Sequence, residues 1–225
     1  MERHFIDDLK ELNELLLRLS SLTETAIDMS ITALKDLNAQ MAQEVISKDT
    51  VIDEMEIDIE EKVIDLIALH QPLARDLRFV TTALHINSNL ERIADLAVNI
   101  SQRVLELSEV KPLLKPLIDI PRLSDLARTM VRQSMDAFVN HDLSIARQVI
   151  LMESEADELR NRIQQELTTE YIMVDGKTAP RAIPLLLIAR HLERICDQAT
   201  NIAESVIYLE RAIVVKHHPE KLQQS

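Results

Sequence analysis

Glu91 and Asp95 lie four residues apart, and Asn99 follows at the same interval. On an α-helix this spacing stacks three oxygen-bearing side chains along one face, each about one turn from the next. The string returns later in the chain as Glu193, Asp197 and Asn201. Two further acidic pairs share the spacing, Asp49 with Asp53 and Glu153 with Asp157. Like charges at i,i+4 mildly destabilise a helix, so a chain that keeps them in matched places invites a counter-charge. Donors of this kind suit a hard cation, or an iron or manganese ion, bound through oxygen. One such pair alone would mean little: with 38 acids in 225 residues, chance supplies roughly six on a helical chain.

What lifts the pairs above chance is an internal duplication. At an offset of 104, Ser30 falls on Ser134, Ala33 on Ala137, Ala42 on Ala146, Val45 on Val149, Asp53 on Asp157 and Glu54 on Glu158. The same shift places Asp49 on Glu153. After a two-residue slip near Asp175-Gly176 the offset becomes 102, and the run Leu90 to Ile100 matches Leu192 to Ile202 at eight of eleven positions. Two copies describe a duplicated domain, since a solenoid needs at least three repeats.

The elements that must carry these residues are helices. Leu12, Leu15, Leu16, Leu19, Leu22, Ala26, Met29, Ala33 and Leu37 recur three or four apart, which predicts one long helix from about Leu9. A polar interruption at Asn38-Ala39-Gln40 suggests a second helix starting near Asp49, with Ile52, Met55, Ile59, Val63 and Leu66 inward, and Pro72 stops it. A third runs from about Pro72 to Leu107. The expected organisation is all-α: two tandem antiparallel three-helix bundles, at 1–110 and 122–216, with a proline-bearing linker at 111–121 and a tail at 217–225. On the third helix the acids lie nearly opposite Leu90, Ile93, Ala97, Ile100 and Val104, so they face away from their own core; on the second they border the apolar stripe. Four carboxylates from two adjacent antiparallel helices would then form a surface site.

Composition excludes several classes. A formal charge of −13 repels a phosphate backbone, and five aromatics offer no stacking platform, which argues against nucleic-acid binding. A single glycine and 46% hydrophobic residues favour long helices. The start of the chain lacks a signal-peptide pattern, and the longest apolar stretch, Ala182 to Ala189, is far short of the roughly 20 residues of a bilayer span. With one cysteine, the expectation is a soluble cytoplasmic protein. A buried di-iron centre would need Glu-x-x-His pairs, and none of the seven histidines has Glu three residues before it. His85 and His191 read as helix-surface residues, Cys196 as a small packing residue in place of Ala94, and His217-His218 as a frayed tail. Arg92 and Arg194 are expected to pair with Asp95 and Asp197 at i,i+3. No phosphate loop and no catalytic constellation is visible. The competing readings are a regulatory binding protein with metal sites, a metal-dependent enzyme on a helical bundle, and a structural bundle without metal.

Glu-Arg-Ile-x-Asp, present twice, resembles the PhoU family of phosphate-uptake regulators, and the run Gln71-Pro72-Leu73-Ala74-Arg75-Asp76-Leu77-Arg78 is similar to that family's approach to its third helix. The resemblance covers nearly the whole chain. It implies two similar three-helix bundles whose signatures bind metal ions (iron, zinc, manganese or magnesium) in surface clusters. The implied ligands are Asp49, Asp53, Glu91 and Asp95 in one half and Glu153, Asp157, Glu193 and Asp197 in the other, with Asn99 and Asn201 as weaker candidates. Where the family commonly has glycine before the final Asp, this chain has Ala94 and Cys196. The implied role is a non-catalytic cytoplasmic adaptor between the phosphate ABC transporter ATPase and the sensor histidine kinase of the phosphate regulon. It would be homodimeric, peripheral at the inner membrane through the transporter, and without membrane insertion.

Overall fold

Residues 2–114 and 118–216 are described in the computed structural model of the chain; the tail at 217–225, with His217-His218, lies outside them. The first half comprises α1 (Glu2–Asp36), α2 (Ala39–His70) and α3 (Ala74–Glu109), and the second α4 (Asp119–Asn140), α5 (Leu143–Glu166) and α6 (Ala179–Arg211). A π-helical turn (Leu167–Ile172) and a 3-10 turn (Gly176–Thr178) lie between α5 and α6. Among the described residues there is no strand.

Local signals set the boundaries, and some differ from expectation. α2 starts ten residues before Asp49, because Asn38 is a helix cap: its side chain accepts a hydrogen bond from the Met41 amide at 3.0 Å. The polar interruption is therefore the end of one helix and the cap of the next. Asp142, at the repeat-equivalent position, caps α5 in the same way, accepting from the Ser144 amide at 2.8 Å. Buried Ser30 and Ser134 likewise each donate to a carbonyl three residues back, Ile27 at 2.8 Å and Val131 at 2.7 Å. The duplication thus reaches hydrogen bonds as well as apolar positions. α1 starts at Glu2, before the expected Leu9. α4 starts at Asp119, inside the expected linker, with Pro121 in its first turn, where a missing N–H is harmless. The two-residue slip between copies falls after Leu167, which still matches Val63 at the offset of 104, in the stretch of π and 3-10 turns before α6.

The halves share one core. α2 buries a single stripe formed by Ala42, Val45, Ile52, Met55, Ile59, Val63 and Leu66, whereas α3 adds Thr82, Ala83, Leu96, Ala97 and Ser101 on further faces. The additional faces pack on α6, and the apolar cluster runs without a break from Leu12 to Val215. Small buried residues recur at equivalent positions of these two central helices, Ala94 and Cys196, Ala97 and Ala199, Ser101 and Ala203. The helices run antiparallel: near the start of α3, Arg78 donates to the Leu209 carbonyl at the end of α6 at 3.2 Å. At that end Glu210 takes Arg75 at 3.0 Å and His141 Nδ1 at 2.8 Å, and the Phe79 and Phe138 rings stack with centroids 5.5 Å apart. The two three-helix bundles are therefore joined into one six-helix body.

With so little glycine, helix ends use other residues in the left-handed region: Leu37, Gln71, His141 and Ala212 all have φ near +50°. A Cβ there is disfavoured by roughly 1 kcal/mol, which glycine avoids. Gln71 is exposed and caps α2 through its backbone N–H on the Ile67 carbonyl. Gln71→Gly should stabilise the fold by about 0.5–1 kcal/mol in equilibrium denaturation; an unchanged or lowered midpoint would contradict the strain assigned to this position.

Candidate functional site

Helical geometry and core packing leave the acids no freedom to separate. Leu90, Ile93, Ala97, Ile100 and Val104 are buried on α3, so Glu91, Asp95 and Asn99 lie at its outer edge, with Glu91 and Asn99 half-buried and Asp95 exposed. On α2, Ile52, Met55 and Ile59 are buried, which leaves Asp49 half-buried and Asp53 exposed beside them. α2 packs along α3, and their register is pinned by the buried Asn87, whose amide donates to the backbone carbonyl of Glu56 at 2.9 Å. The two acidic edges consequently run side by side.

The electrostatics record this proximity. Partial burial, then Asp53 and Asp95, pushes Asp49 up to about 6. Partial burial pushes Glu91 to about 7, with Asp95, Glu56 and Asp53 adding to it. A carboxylate is raised when its charge is desolvated and faced by like charge. In the second half, burial, Glu193, Glu153 and Asp157 raise Asp197 to about 6, and burial, Asp157 and Glu193 raise Glu153. The structure thus draws Asp49, Asp53, Glu91 and Asp95 into one interacting group and Glu153, Asp157, Glu193 and Asp197 into another. Asn201 instead lines a cleft of about 610 Å³ between α3 and α6, with Thr81, His85, Arg92 and Lys216.

As metal donors the two groups fit in chemistry: all are oxygens, on facing edges, carrying repulsion that a cation would relieve. Among the described residues, no three of them converge closely enough to form a ligation cage. Sequence reasoning also missed two neighbours. Glu56 belongs to the first group; burial raises its carboxyl, as do Glu60, Asp53 and Asp95. Arg160 enters the second, with a guanidinium nitrogen 3.1 Å from Glu193. Extending the 104-residue offset one helical turn beyond Asp53 finds both at once.

Two expectations change and one, for Cys196, holds. Among the described residues, no ion pair joins Arg92 to Asp95 or Arg194 to Asp197; Arg194 acts on Asp197 only as a longer-range attraction, the weakest of the influences on it. His191 is not a surface histidine: half-buried, with Nδ1 unpartnered, it is held down to about 4 by desolvation and by Arg194, Arg103 and Arg190, so it is neutral at pH 7. Cys196 is fully buried, and desolvation next to Asp197 and Glu193 keeps its thiol protonated, which suits packing and not nucleophilic attack.

The raised carboxyls carry a pH signature. Each binds its proton more tightly folded than unfolded, so its penalty is absent below the unfolded value near 4 and develops as pH rises towards about 6 to 7. Metal-free protein in chelator should therefore melt at lower temperature at pH 8 than at pH 5.5 on account of these groups. Allowing for solvent screening, Glu91→Gln should recover about 1–3 °C at pH 8 and flatten the profile. An identical profile in the variant would remove Glu91 from the interacting group.

Comparison with known proteins accords with this architecture. The PhoU domain model matches residues 16–104 and again 120–206, one match per half. A curated relative from Aquifex aeolicus, a phosphate-specific transport system accessory protein PhoU homolog, is 40% identical over 210 residues, covering 93% of this chain and 94% of its own. Homolog 2 from Thermotoga maritima is 32% identical over 222 residues, covering 99% and 94%. Among solved structures, PhoU from Pseudomonas aeruginosa superposes with a TM-score of 0.89 at 32% identity, over 93% of this chain and 100% of that one. The phosphate transport system regulatory protein PhoU from Streptococcus pneumoniae gives 0.87 at 30% identity, over 94% and 99%. Matched in both halves and along nearly its full length, with its two carboxylate edges at equivalent places in the repeat, the chain belongs to the PhoU family.

Proposed function

We propose that this protein is an accessory regulator of phosphate uptake, working as a cytoplasmic adaptor between the phosphate ABC transporter ATPase and the sensor histidine kinase of the phosphate regulon. Its two carboxylate edges hold metal ions that fix the charge of its outer surface. The observation that carries the reading is the pairing of mutually repelling carboxylates at matched positions of both repeats, Asp49, Asp53, Glu91 and Asp95 with Glu153, Asp157, Glu193 and Asp197. A duplicated fold that retains the same electrostatic penalty twice is best explained by a ligand that removes it. The curated relatives are named for phosphate-specific transport, which supplies the process.

Bound there, a metal ion would supply charge neutralisation and cross-link two helices through oxygen donors; iron, zinc, manganese and magnesium are the candidates. Asp53, Asp95 and Asp157 are exposed and unpacked, so they have rotamer freedom to turn towards a cation. No described helix is long and apolar enough to cross a membrane, which leaves docking to the transporter as the route to the membrane surface. A homodimer would double the docking surface.

Protein purified without chelator should contain metal by elemental analysis, and the Asp53→Asn/Asp95→Asn variant should lose at least about half of it while keeping its helical circular dichroism. Wild-type protein that carries no metal and takes up neither Mn²⁺ nor Fe²⁺ would sink the metal reading. The adaptor reading is checked separately: the protein should retain the transporter ATPase and the kinase in pull-down, and its deletion should release phosphate-responsive transcription in phosphate-rich medium. Failure of both would leave the docking role without support.

A further inference from the structure

The two carboxylate edges differ in one respect that the repeat exposes. Buried positions align at the offset of 104 as far as the end of α5: Ile52 with Ala156, Met55 with Leu159, Ile59 with Ile163 and Val63 with Leu167. On that register Glu56 of α2 falls on Arg160 of α5, and Glu60 on Gln164. At the offset of 102, Ser88 of α3 falls on Arg190 of α6. Every one of these differences makes the second edge less negative than the first.

Arg160 also sits where the difference counts. Its side chain is 30% exposed, and one terminal nitrogen lies 3.1 Å from Glu193, whose side chain is 16% exposed. Its other terminal nitrogen donates to Asn161 at 2.7 Å, and its buried Nε has no partner. The guanidinium borders an open cavity of about 670 Å³ lined also by Arg190, Arg194 and Asp197. At the first edge the equivalent place holds a fifth carboxylate, facing Asp53 and Asp95.

Resting on the metal reading above, we infer that the second edge carries its own cation: Arg160 occupies the place of a bound metal beside Glu193, so that metal loads the first edge preferentially and reaches the second only when Arg160 is displaced. An arginine bound to a carboxylate satisfies its charge and lone pairs, and a metal must break that pair before it can ligate. Among the described residues no arginine is ion-paired to a carboxylate of the first edge, where Arg92 acts on Glu56 only as a longer-range attraction.

Titration calorimetry with Mn²⁺, on the full chain freed of metal, tests the assignment. Wild type should show a tight class of sites that disappears in Asp53→Asn/Asp95→Asn. In that doubly substituted background, Arg160→Gln should tighten the residual binding at least about tenfold, and Arg160→Glu further, by removing or reversing a unit charge within a few ångströms of the ligands. The reciprocal Glu56→Arg should weaken the tight class by a similar factor while leaving thermal stability in chelator unchanged or raised, because it neutralises the first edge. Circular dichroism confirms the fold of each variant, and Arg160→Gln stands in if Arg160→Glu does not fold. Two equal classes of site in wild type, with no response to Arg160→Gln, would overturn this inference while leaving the metal reading intact. No binding in any of the proteins would overturn both.

Discussion

Apolar packing holds like charges against each other, and the rest of the molecule follows from that opposition. The buried stripe of α2 fits α3 only with Asp49 and Asp53 along the edge that carries Glu91 and Asp95. Asn87 prevents a slide that would part them, by tying α3 to the Glu56 carbonyl through a fully buried side chain. Burying an aliphatic side chain is favourable by about 1.5–3 kcal/mol, several times the repulsion between two partly solvated carboxylates, so the core prevails and the acids remain as an unrelieved feature. Their raised proton affinities are the visible residue of that competition.

The second half resolves the same opposition differently. α5 presents Arg160 and Gln164 where α2 presents Glu56 and Glu60, and the ion pair with Glu193 relieves part of the strain within the chain. Partly buried pairs of this kind are weak stabilisers when set against apolar replacements but strong determinants of local charge. Equivalent helix caps, buried serines and core stripes therefore support two edges of different character. In one structure, duplication has conserved the scaffold more closely than the electrostatics it displays.

Much of the fold was legible from residue spacing because helical periodicity and the duplication reinforce each other. Helix number, the antiparallel half-bundles and the outward direction of Glu91 and Asp95 all follow from where Leu, Ile and Ala recur. The start of α2 was misplaced because Asn38 is polar in the way a loop is polar, and only its amide geometry distinguishes a cap from an interruption. The expected Arg92–Asp95 and Arg194–Asp197 pairs do not form because i,i+3 spacing permits a pair without requiring one, and spacing along one helix carries no information about the groups on neighbouring helices. The burial of His191 was hidden for the same reason: it depends on packing between helices that are distant in sequence. The shared core between α3 and α6 left a trace in the small residues Ala97, Ser101, Ala199 and Ala203, which a half-by-half reading assigns to each bundle separately.

The continuous seam between α3 and α6 bears on how such a chain could arise. A single repeat would leave the second apolar face of its third helix uncovered, and the surface best shaped to cover it is the same face of another copy, antiparallel about a twofold axis. The tandem chain is in that sense a symmetric dimer made covalent. Once both copies are translated together, a change in one need no longer be tolerated by its twin. Symmetry ceases to be a constraint, and each half can specialise at its periphery while the axis between them stays fixed.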